Sequence, residues 1–359
     1  MNLPHGGNIY RVAECLRKKE REIIDFSASI NPLGIPEGAV AAITRNIVSL
    51  TNYPDPDTKG LRRKIAEHEG LNPASIVCGN GSTELIYLIV RALQPERALI
   101  PAPTFSEYER ACRVTQGITT VHFPLRKEDG FLLNPGEFIR AIGKERSKSG
   151  GRLMAFLCNP NNPTGALISR KEMLEIAGAA RDMGVTFVVD EAFTDFCPGH
   201  SISDEVARNP YLVVLKSLTK IYALSGLRMG YAILPHELQK KALTAKEPWT
   251  VNTLAQAAAS AALDDTAYIE ETSRLMASQK GLLESGLGRL GISFLPSRPN
   301  YYLLSHPRAQ EIQISLYRQG IMLRDCSNFA GLDKTYFRIA VKSEADNTRL
   351  LEELRGCLE

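Results

Sequence analysis

The residue whose position most clearly suggests reactivity is Lys220, which follows the apolar run at residues 211–215. That run is typical of a buried strand, so Lys220 is expected just beyond a strand end, where α/β sheets carry their active sites. A lysine amine in that position can form a Schiff base with an aldehyde. Close to it stand Ser217, Thr219 and Arg228, and two hydroxyls with a planar guanidinium suit a phosphate. The alternative is a surface lysine, with Arg228 paired to a carboxylate.

An aldehyde and a phosphate occur together in pyridoxal 5'-phosphate, and a second stretch also suits the phosphate of this cofactor. Gly81, Ser82 and Thr83 form a glycine turn that opens a predicted helix. Free backbone N–H groups and the helix dipole attract phosphate there. An ordinary N-cap by Ser82 or Thr83 is the alternative. The stretch lacks the third glycine of the dinucleotide-binding fingerprint.

Two further motifs come at the ends of predicted strands. Residues 157–165, LCNPNNPTG, form a stiff turn that can aim an amide side chain, although the same residues are common in ordinary turns. Asp190 ends the run VVD. A carboxylate buried there could keep a pyridine nitrogen protonated, because the ion pair favours the charged form of both partners. The alternative for Asp190 is a helix N-cap or a surface acid.

The elements that must position these residues alternate between strands and helices from about residue 59. The predicted strands are residues 75–78, 99–102, 120–124, 153–158, 186–190, 211–215 and 231–234. A helix is predicted over residues 82–93, and Ser169 with Glu172 forms a capping box for another that ends near Gly184. This alternation predicts an α/β fold with a mostly parallel sheet.

The pattern changes after residue 250, which predicts a second, smaller unit. Helical stretches over about residues 252–290 precede the predicted strands 292–295, 301–305 and 336–341. We therefore expect a large domain over residues 46–250. Residues 1–45 and 251–359 are expected to form an N-terminal arm and a small α+β domain.

Composition excludes several classes of protein. The chain has 359 residues, of which 44% are hydrophobic and 23% charged, as in ordinary soluble proteins. Its net charge of +3, without a long run of Lys and Arg, indicates no nucleic-acid or membrane partner. No apolar stretch predicts a signal region or a membrane span. The seven cysteines are odd in number and lack metal-ligand spacing, so we expect no disulfide framework, no metal and a cytoplasmic location.

The order of the motifs carries a family resemblance over essentially the whole chain. The glycine turn, NPNNPTG, VDEAF and SLTK followed by Arg228 resemble the fold-type I pyridoxal phosphate enzymes of the aspartate aminotransferase superfamily. The resemblance implies that Lys220 carries the cofactor as a Schiff base and that Asp190 pairs with the pyridinium nitrogen. It also implies that Asn162 donates to the phenolic O3' and that Phe105 stacks on the ring. The implied phosphate ligands are Gly81, Ser82, Thr83, Ser217, Thr219, Arg228 and, from the neighbouring subunit of a homodimer, Tyr53.

Within the superfamily, the sequence is similar to the threonine-phosphate decarboxylases of cobalamin biosynthesis and to histidinol-phosphate aminotransferases. HGGN, DFSASINPLG, EPWTVN and RDCSNF resemble the decarboxylases. The implied substrate ligands are His5, Gly34, Asn162, Arg324 and Arg338. Arg338 would bind the carboxylate with help from the backbone at Gly34, whereas Arg324 and His5 would bind a substrate phosphate. From the residues alone, Arg324 could instead pair with an acid such as Asp325, and His5 could belong to a disordered terminus.

Two positions depart from the family patterns. Phe193 stands where aminotransferases usually have tyrosine, which weakens a transaminase interpretation, and Ser29 stands where the decarboxylases are expected to have asparagine. The resemblance implies decarboxylation of O-phospho-L-threonine to (R)-1-amino-2-propanol O-phosphate. The alternatives are a histidinol-phosphate aminotransferase or another class I/II aminotransferase, and a catalytically silent protein of the same fold. The intact set of lysine, aspartate and phosphate ligands argues against the silent protein.

Overall fold

A computed structural model describes residues 5–359 of the chain, so the first four residues of the predicted N-terminal arm lie outside it. The strands are β1 Ile24–Asp25, β2 Ile76–Asn80, β3 Arg97–Ala102, β4 Thr119–Pro124, β5 Leu153–Cys158, β6 Thr186–Asp190, β7 Leu212–Ser217, β8 Met229–Ile233, β9 Ser293–Phe294, β10 Tyr301–Ser305, β11 Ile321–Met322, β12 Arg324–Asp325 and β13 Tyr336–Ala340. The α-helices are α1 Ile9–Leu16, α2 Glu37–Asn46, α3 Lys59–Glu69, α4 Gly81–Leu93, α5 Glu107–Val114, α6 Pro135–Arg146, α7 Arg170–Asp182, α8 Leu218–Ile221, α9 His236–Ala245, α10 Thr253–Ala262, α11 Thr266–Arg289, α12 Ala309–Arg318 and α13 Glu344–Leu358.

A seven-stranded sheet in the order β2-β8-β7-β6-β5-β3-β4 confirms the predicted α/β class. Its strands β4, β3, β5, β6 and β7 are parallel, whereas β8 is antiparallel to both β7 and β2. The sheet is therefore mostly parallel, as the sequence predicts. Because parallel strands end at one edge, the carboxyl ends of β5, β6 and β7 bring Cys158, Asp190 and Ser217 together.

Both faces of this sheet are covered by apolar packing. Successive residues of a strand point to opposite faces, so Val188 and Val189 of β6 enter two different core clusters. The predicted capping box also forms, because the Ser169 N–H donates to Glu172 at 3.0 Å and the Glu172 N–H donates to Ser169 Oγ at 3.3 Å. It fixes the start of α7, which packs against β6.

A smaller antiparallel sheet, in the order β12-β13-β10-β9, forms the predicted C-terminal layer. Its core is shared with α11, α12 and α13. The N-terminal segment joins this part, since β1 pairs in parallel with β11. Helix α10 follows the expected division at residue 250 in the sequence. Ala255, Ala258, Ala259 and Ala262 of α10 enter the core of the large sheet, beside Ala39 of α2.

Candidate active site

The predicted site residues converge on a cavity of about 430 Å³ at the carboxyl edge of the large sheet. The lining includes the predicted cofactor ligands Ser82, Thr83, Phe105, Asn162, Asp190, Ser217, Thr219, Lys220 and Arg228. It also includes the predicted substrate ligands His5, Arg324 and Arg338. The cavity is strongly cationic, because its lining contains four arginines and Lys220 but only two carboxylates, Glu107 and Asp190.

Lys220 lies on the one-turn helix α8, directly after β7. Its backbone carbonyl accepts a hydrogen bond from the N–H of Asn31 at 3.0 Å, which fixes the start of the side chain. Burial, followed by the positive charges of Arg338 and Arg228, lowers the pKa of Lys220 to about 8. A lowered pKa increases the neutral fraction of the amine, which is the form that attacks an aldehyde.

Asp190 ends β6 as a carboxylate that is only 3% exposed. Tyr108 donates its hydroxyl to Oδ2 at 2.7 Å, and the N–H of Ala192 donates to Oδ1 at 2.9 Å. Burial raises the pKa of Asp190, although the bond from Tyr108 opposes that shift. Neither donor is a cation, so a pyridinium nitrogen would supply the opposite charge that this buried group is missing.

The phosphate cradle is built from the start of α4 and the residues after β7. Ser217 Oγ and Thr219 Oγ1 lie 2.8 Å apart, and both hydroxyls belong to buried side chains. Gly81 has a φ of +77°, and a Cβ there would collide with the guanidinium of Arg228. The absence of a side chain thus lets a helix N-terminus and an arginine approach one point, which fits a phosphate.

Arg338 and Asn162 form the opposite wall. Arg338 Nη1 donates to Asn162 Oδ1, and Nη2 donates to the Ser27 carbonyl at 2.9 Å. The buried Nε of Arg338 has no hydrogen-bond partner among residues 5–359. A buried, unsatisfied guanidinium N–H suits a bound carboxylate. With its oxygen bonded to Arg338, the amide of Asn162 has its NH2 group to donate, as the resemblance implies.

Arg324 is placed beside Arg338 by the small sheet. The two residues are direct partners in the β12–β13 pairing, so their side chains share one face of the sheet. Arg324 is 5% exposed and donates to the Asp325 carbonyl and to Asn328 Oδ1, the latter at 2.9 Å. Like charges directly opposite each other are unfavourable, and an anion bound in the cavity would offset their repulsion.

His5 reaches the cavity from the N-terminal segment. Its Nε2 lies 3.0 Å from Glu107 Oε1, and its ring centroid lies 6.3 Å from that of Phe105. The N–H of Gly7 donates to Ser27 Oγ at 2.8 Å and ties the segment to the cavity wall. The alternative of a disordered terminus therefore does not apply to His5.

Three predicted ligands do not line this cavity. Gly81 directly precedes Ser82 and Thr83, which do line it. Tyr53 is 81% exposed, and its ring lies tilted against that of Trp249 with 4.9 Å between centroids. Gly34 is also absent from the lining, and both of its backbone groups have partners within the fold. Its N–H donates to the Asn31 carbonyl at 3.3 Å, and its carbonyl accepts from the hydroxyl of Tyr268 at 2.7 Å. Residues 27–29, from the same N-terminal segment, do line the cavity.

Comparison with known proteins gives the family. A model of the aminotransferase class I and II family matches residues 21–354. The chain belongs to this family. A threonine-phosphate decarboxylase of Salmonella typhimurium is 36% identical, over 99% of this chain and 97% of the relative. A histidinol-phosphate aminotransferase of Carboxydothermus hydrogenoformans is 32% identical, over 95% of this chain and 94% of the relative. The crystal structure of L-threonine-O-3-phosphate decarboxylase from Porphyromonas gingivalis has a TM-score of 0.82 at 28% identity, covering 94% of this chain and 99% of that one.

Membership of the aminotransferase family confirms the predicted fold-type I architecture, and pyridoxal 5'-phosphate is the cofactor of this family. The residues of this site fit that cofactor in three independent ways. A lysine of lowered pKa, a buried carboxylate without a cationic partner and a cradle of backbone and hydroxyl donors surround one cavity. Phe193 is buried edge-on against Tyr301, with 4.8 Å between ring centroids, so this position offers no phenol to the cavity.

Sequence reasoning missed two residues at the start of α5. Tyr108 binds Asp190, and Glu107 binds His5, yet the sequence separation between Tyr108 and Asp190 is 82 residues. The available signal was the stretch SEYE directly after Phe105, where a carboxylate and a phenol follow a predicted ring-stacking residue.

Proposed function

We propose that this protein is a pyridoxal phosphate-dependent carboxy-lyase that converts O-phospho-L-threonine to (R)-1-amino-2-propanol O-phosphate for cobalamin biosynthesis. The observation that carries the proposal is the pairing of Arg324 with Arg338 in the cavity that contains Lys220. The cofactor phosphate already has its own cradle, so two further arginines suit a substrate with two anionic groups. The threonine-phosphate decarboxylases among the relatives support the same substrate.

The residues of the chain have distinct tasks in this reaction. Bound pyridoxal 5'-phosphate supplies an electron sink for the bond that breaks at the substrate Cα. Asp190 would pair with the ring nitrogen of the bound cofactor and so keep that nitrogen protonated. Lys220 would hold the cofactor, and its amine would supply the proton that Cα needs in the product. Ser217, Thr219 and Arg228 hold the cofactor phosphate.

Control of the reaction lies in the orientation of the substrate. The bond to Cα that is presented for cleavage would decide the outcome, which is either loss of CO2 or loss of the Cα proton and transamination. Arg338 would bind the carboxylate and set its orientation. Arg324 and His5 bind the phosphate at the far end and so fix the rotation about Cα.

Histidinol-phosphate transamination is the second candidate, because its substrate also has an amine and a phosphate. The relatives include histidinol-phosphate aminotransferases at 32% identity. Phe193 argues against it, since the phenol usual in aminotransferases is missing at this buried position.

The proposal includes a cytoplasmic homodimer. Tyr53, with Val48 and Leu50, is more than half exposed, and large exposed apolar side chains are typical of an interface. All seven cysteines are free, which suits a reducing compartment. Within residues 5–359, none of the helices combines the length and apolar character needed to cross a bilayer.

The deciding experiment incubates the pure protein with phosphothreonine and measures CO2, 1-amino-2-propanol O-phosphate and keto acid. We expect CO2 and the amine in equal amounts, with no dependence on 2-oxoglutarate, and no product from Lys220→Ala. Keto acid that forms only with 2-oxoglutarate would show a transaminase instead. Histidinol phosphate as the sole accepted substrate would favour the second candidate.

A further inference from the structure

A second buried carboxylate in the cavity has no task in the proposed chemistry. Glu107 is the first residue of α5, is 5% exposed and lines the cavity that would bind a doubly anionic substrate. The negative charge of Asp190 is accounted for by its proposed pairing with the cofactor nitrogen, whereas a negative charge at Glu107 would repel the substrate. A buried charge is also costly unless it is paired. The position therefore requires a physical explanation.

The partners of Glu107 supply that explanation. His5 Nε2 lies 3.0 Å from Oε1, and the hydroxyl of Tyr87 donates to Oε2 at 2.7 Å. Arg110, which is more than half exposed, lies farther away, with its Nη1 3.6 Å from Oε1. Burial acts to raise the pKa of Glu107, but the bonds from His5 and Tyr87 outweigh it and lower the pKa to about 2. Glu107 is thus ionised at neutral pH, with one oxygen fixed by Tyr87 and the other facing His5.

The segment that carries His5 is fixed at its other end by the opposite wall of the cavity. Gly7 donates to Ser27 Oγ at 2.8 Å, and a Cβ on Gly6 would collide with the carbonyl of Ser27. The same carbonyl accepts from Arg338 at 2.9 Å. Residues 5–7 therefore cross from the wall that carries Arg338 to helix α5, where His5 contacts Glu107.

We propose that Glu107 is a positioning residue, which holds the imidazole of His5 at the phosphate end of the substrate cavity. The inference rests on the proposed function, because the group that His5 would bind is the substrate phosphate. In this arrangement the carboxylate does not touch the substrate. It converts a histidine near the chain terminus into a fixed phosphate ligand, and it ties the two walls of the cavity together through residues 5–7.

The test compares Glu107→Ala with His5→Ala and with the double variant. The matched control is Glu109→Ala on the same helix, whose carboxylate pairs outside the cavity with His122 at 3.4 Å. We expect Glu107→Ala to lower kcat/KM for phosphothreonine by about tenfold, mainly through KM, since a charge-assisted contact to the phosphate is lost. Residual turnover of unphosphorylated threonine should change by less than about twofold, because it has no group for His5 to bind.

The double variant and an independent readout decide the role. In the His5→Ala background, adding Glu107→Ala should cost less than about twofold, since the two side chains act as one unit. Hydrogen exchange of residues 5–8 in the substrate-free enzyme should speed up by about tenfold in Glu107→Ala, because the segment loses its anchor, and should stay unchanged in Glu109→Ala.

Two results would overturn the role of Glu107: an equal loss from Glu107→Ala with and without His5, or unchanged exchange of residues 5–8. The exchange measurement needs no substrate, so it separates this inference from the proposed function. The wild-type protein could fail to turn over phosphothreonine while hydrogen exchange of residues 5–8 is still faster in Glu107→Ala. This combination would refute the proposed substrate and support the anchoring of His5.

Discussion

At the scale of single residues, the pKa of Lys220 predicts a pH dependence for loading of the cofactor. Burial, Arg338 and Arg228 lower this pKa to about 8. At pH 7.5 about a quarter of such amines are neutral, against about a thousandth for a lysine with the usual pKa of about 10.4. Uptake of pyridoxal 5'-phosphate by the cofactor-free protein should therefore rise with pH around a midpoint near 8. Borohydride trapping at each pH, followed by intact mass, measures the bound fraction.

The variant Arg338→Met tests the direction in which a nearby positive charge shifts the pKa of Lys220. Removing the positive charge favours the protonated lysine, so the midpoint should move to higher pH. Arg308→Met, which removes a half-exposed arginine outside the cavity, should leave it unchanged. A midpoint that stays near 8 in Arg338→Met would mean that this arginine does not set the pKa of Lys220.

The second prediction at this scale separates the two arginines of the small sheet. Arg324→Ala should reduce kcat/KM for phosphothreonine by about ten- to a hundredfold, since a charge-assisted hydrogen bond contributes about 1.5–3 kcal/mol. It should hardly affect residual turnover of unphosphorylated threonine. Arg338→Ala should impair both substrates, because both have the carboxylate, and keto acid measures any transamination that follows. Equal losses of the two substrates in Arg324→Ala would make Arg324 a structural residue.

At the scale of elements, the ends of β6 and β7 are held from behind by a buried charge cluster. Lys216 precedes Ser217 and faces away from the cavity, as expected from the alternation of side chains along a strand. Its Nζ lies 3.2 Å from Glu191 Oε2, 3.4 Å from Asp195 Oδ1 and 3.8 Å from Glu69 Oε1. Since Glu191 follows Asp190, one cation fixes the two strand ends that carry the cofactor ligands.

Lys216→Met should therefore destabilise the fold by about 3–5 kcal/mol at pH 8, because three carboxylates lose their buried partner. Burial already raises the pKa of Glu191 and that of Asp195, and loss of the lysine raises both further. The folded state of the variant then binds more protons than its unfolded state. The loss in free energy of unfolding relative to wild type should therefore shrink as the pH falls from 8 to 5. Urea denaturation at both pH values measures it, with Lys216→Arg as the charge-conserving control. A deficit of equal size at both pH values would contradict this account.

The elements also show what sequence can and cannot predict. The apolar runs at residues 153–158, 186–190 and 301–305 coincide with strands, because local periodicity carries the signal. The two-residue strands β1, β11 and β12 are too short to leave such a pattern. Helix α10 packs against α2, which lies far away in the sequence, and the periodicity of a helix does not reveal a distant partner.

The same reasoning explains the outcome for the candidate site. The order of motifs was enough to predict the residues that now line one cavity around Lys220. Glu107 and Tyr108 were missed because their partners, His5 and Asp190, lie far away in the sequence. The backbone partners of Gly34 were not predicted, because a motif does not reveal where its backbone hydrogen bonds go.

At the scale of the whole molecule, the exposed ring of Tyr53 points to a site made of two chains. It lies against the ring of Trp249, itself 48% exposed, and neither residue lines the cavity of its own chain. If Tyr53 serves the cofactor phosphate, it does so in a second copy, which agrees with the proposed homodimer. Sedimentation that shows only fully active monomer at working concentration would remove this proposal.

A hybrid dimer tests the role of Tyr53 directly. A Lys220→Ala chain, paired with a Tyr53→Ala chain, leaves one site with its own Lys220 and with Tyr53 supplied by the other chain. Hybrids purified through two different tags should therefore recover about half of wild-type turnover, one complete site of two, whereas each parent homodimer has none. Cofactor bound per dimer, trapped with borohydride, should show the same single site.

The matched control pairs Lys220→Ala with Asp190→Ala. Both residues line the cavity of their own chain, so this hybrid should stay inactive. A Tyr53 hybrid as inactive as that control would place Tyr53 in the site of its own subunit, and a fully active Tyr53→Ala homodimer would place it outside the site.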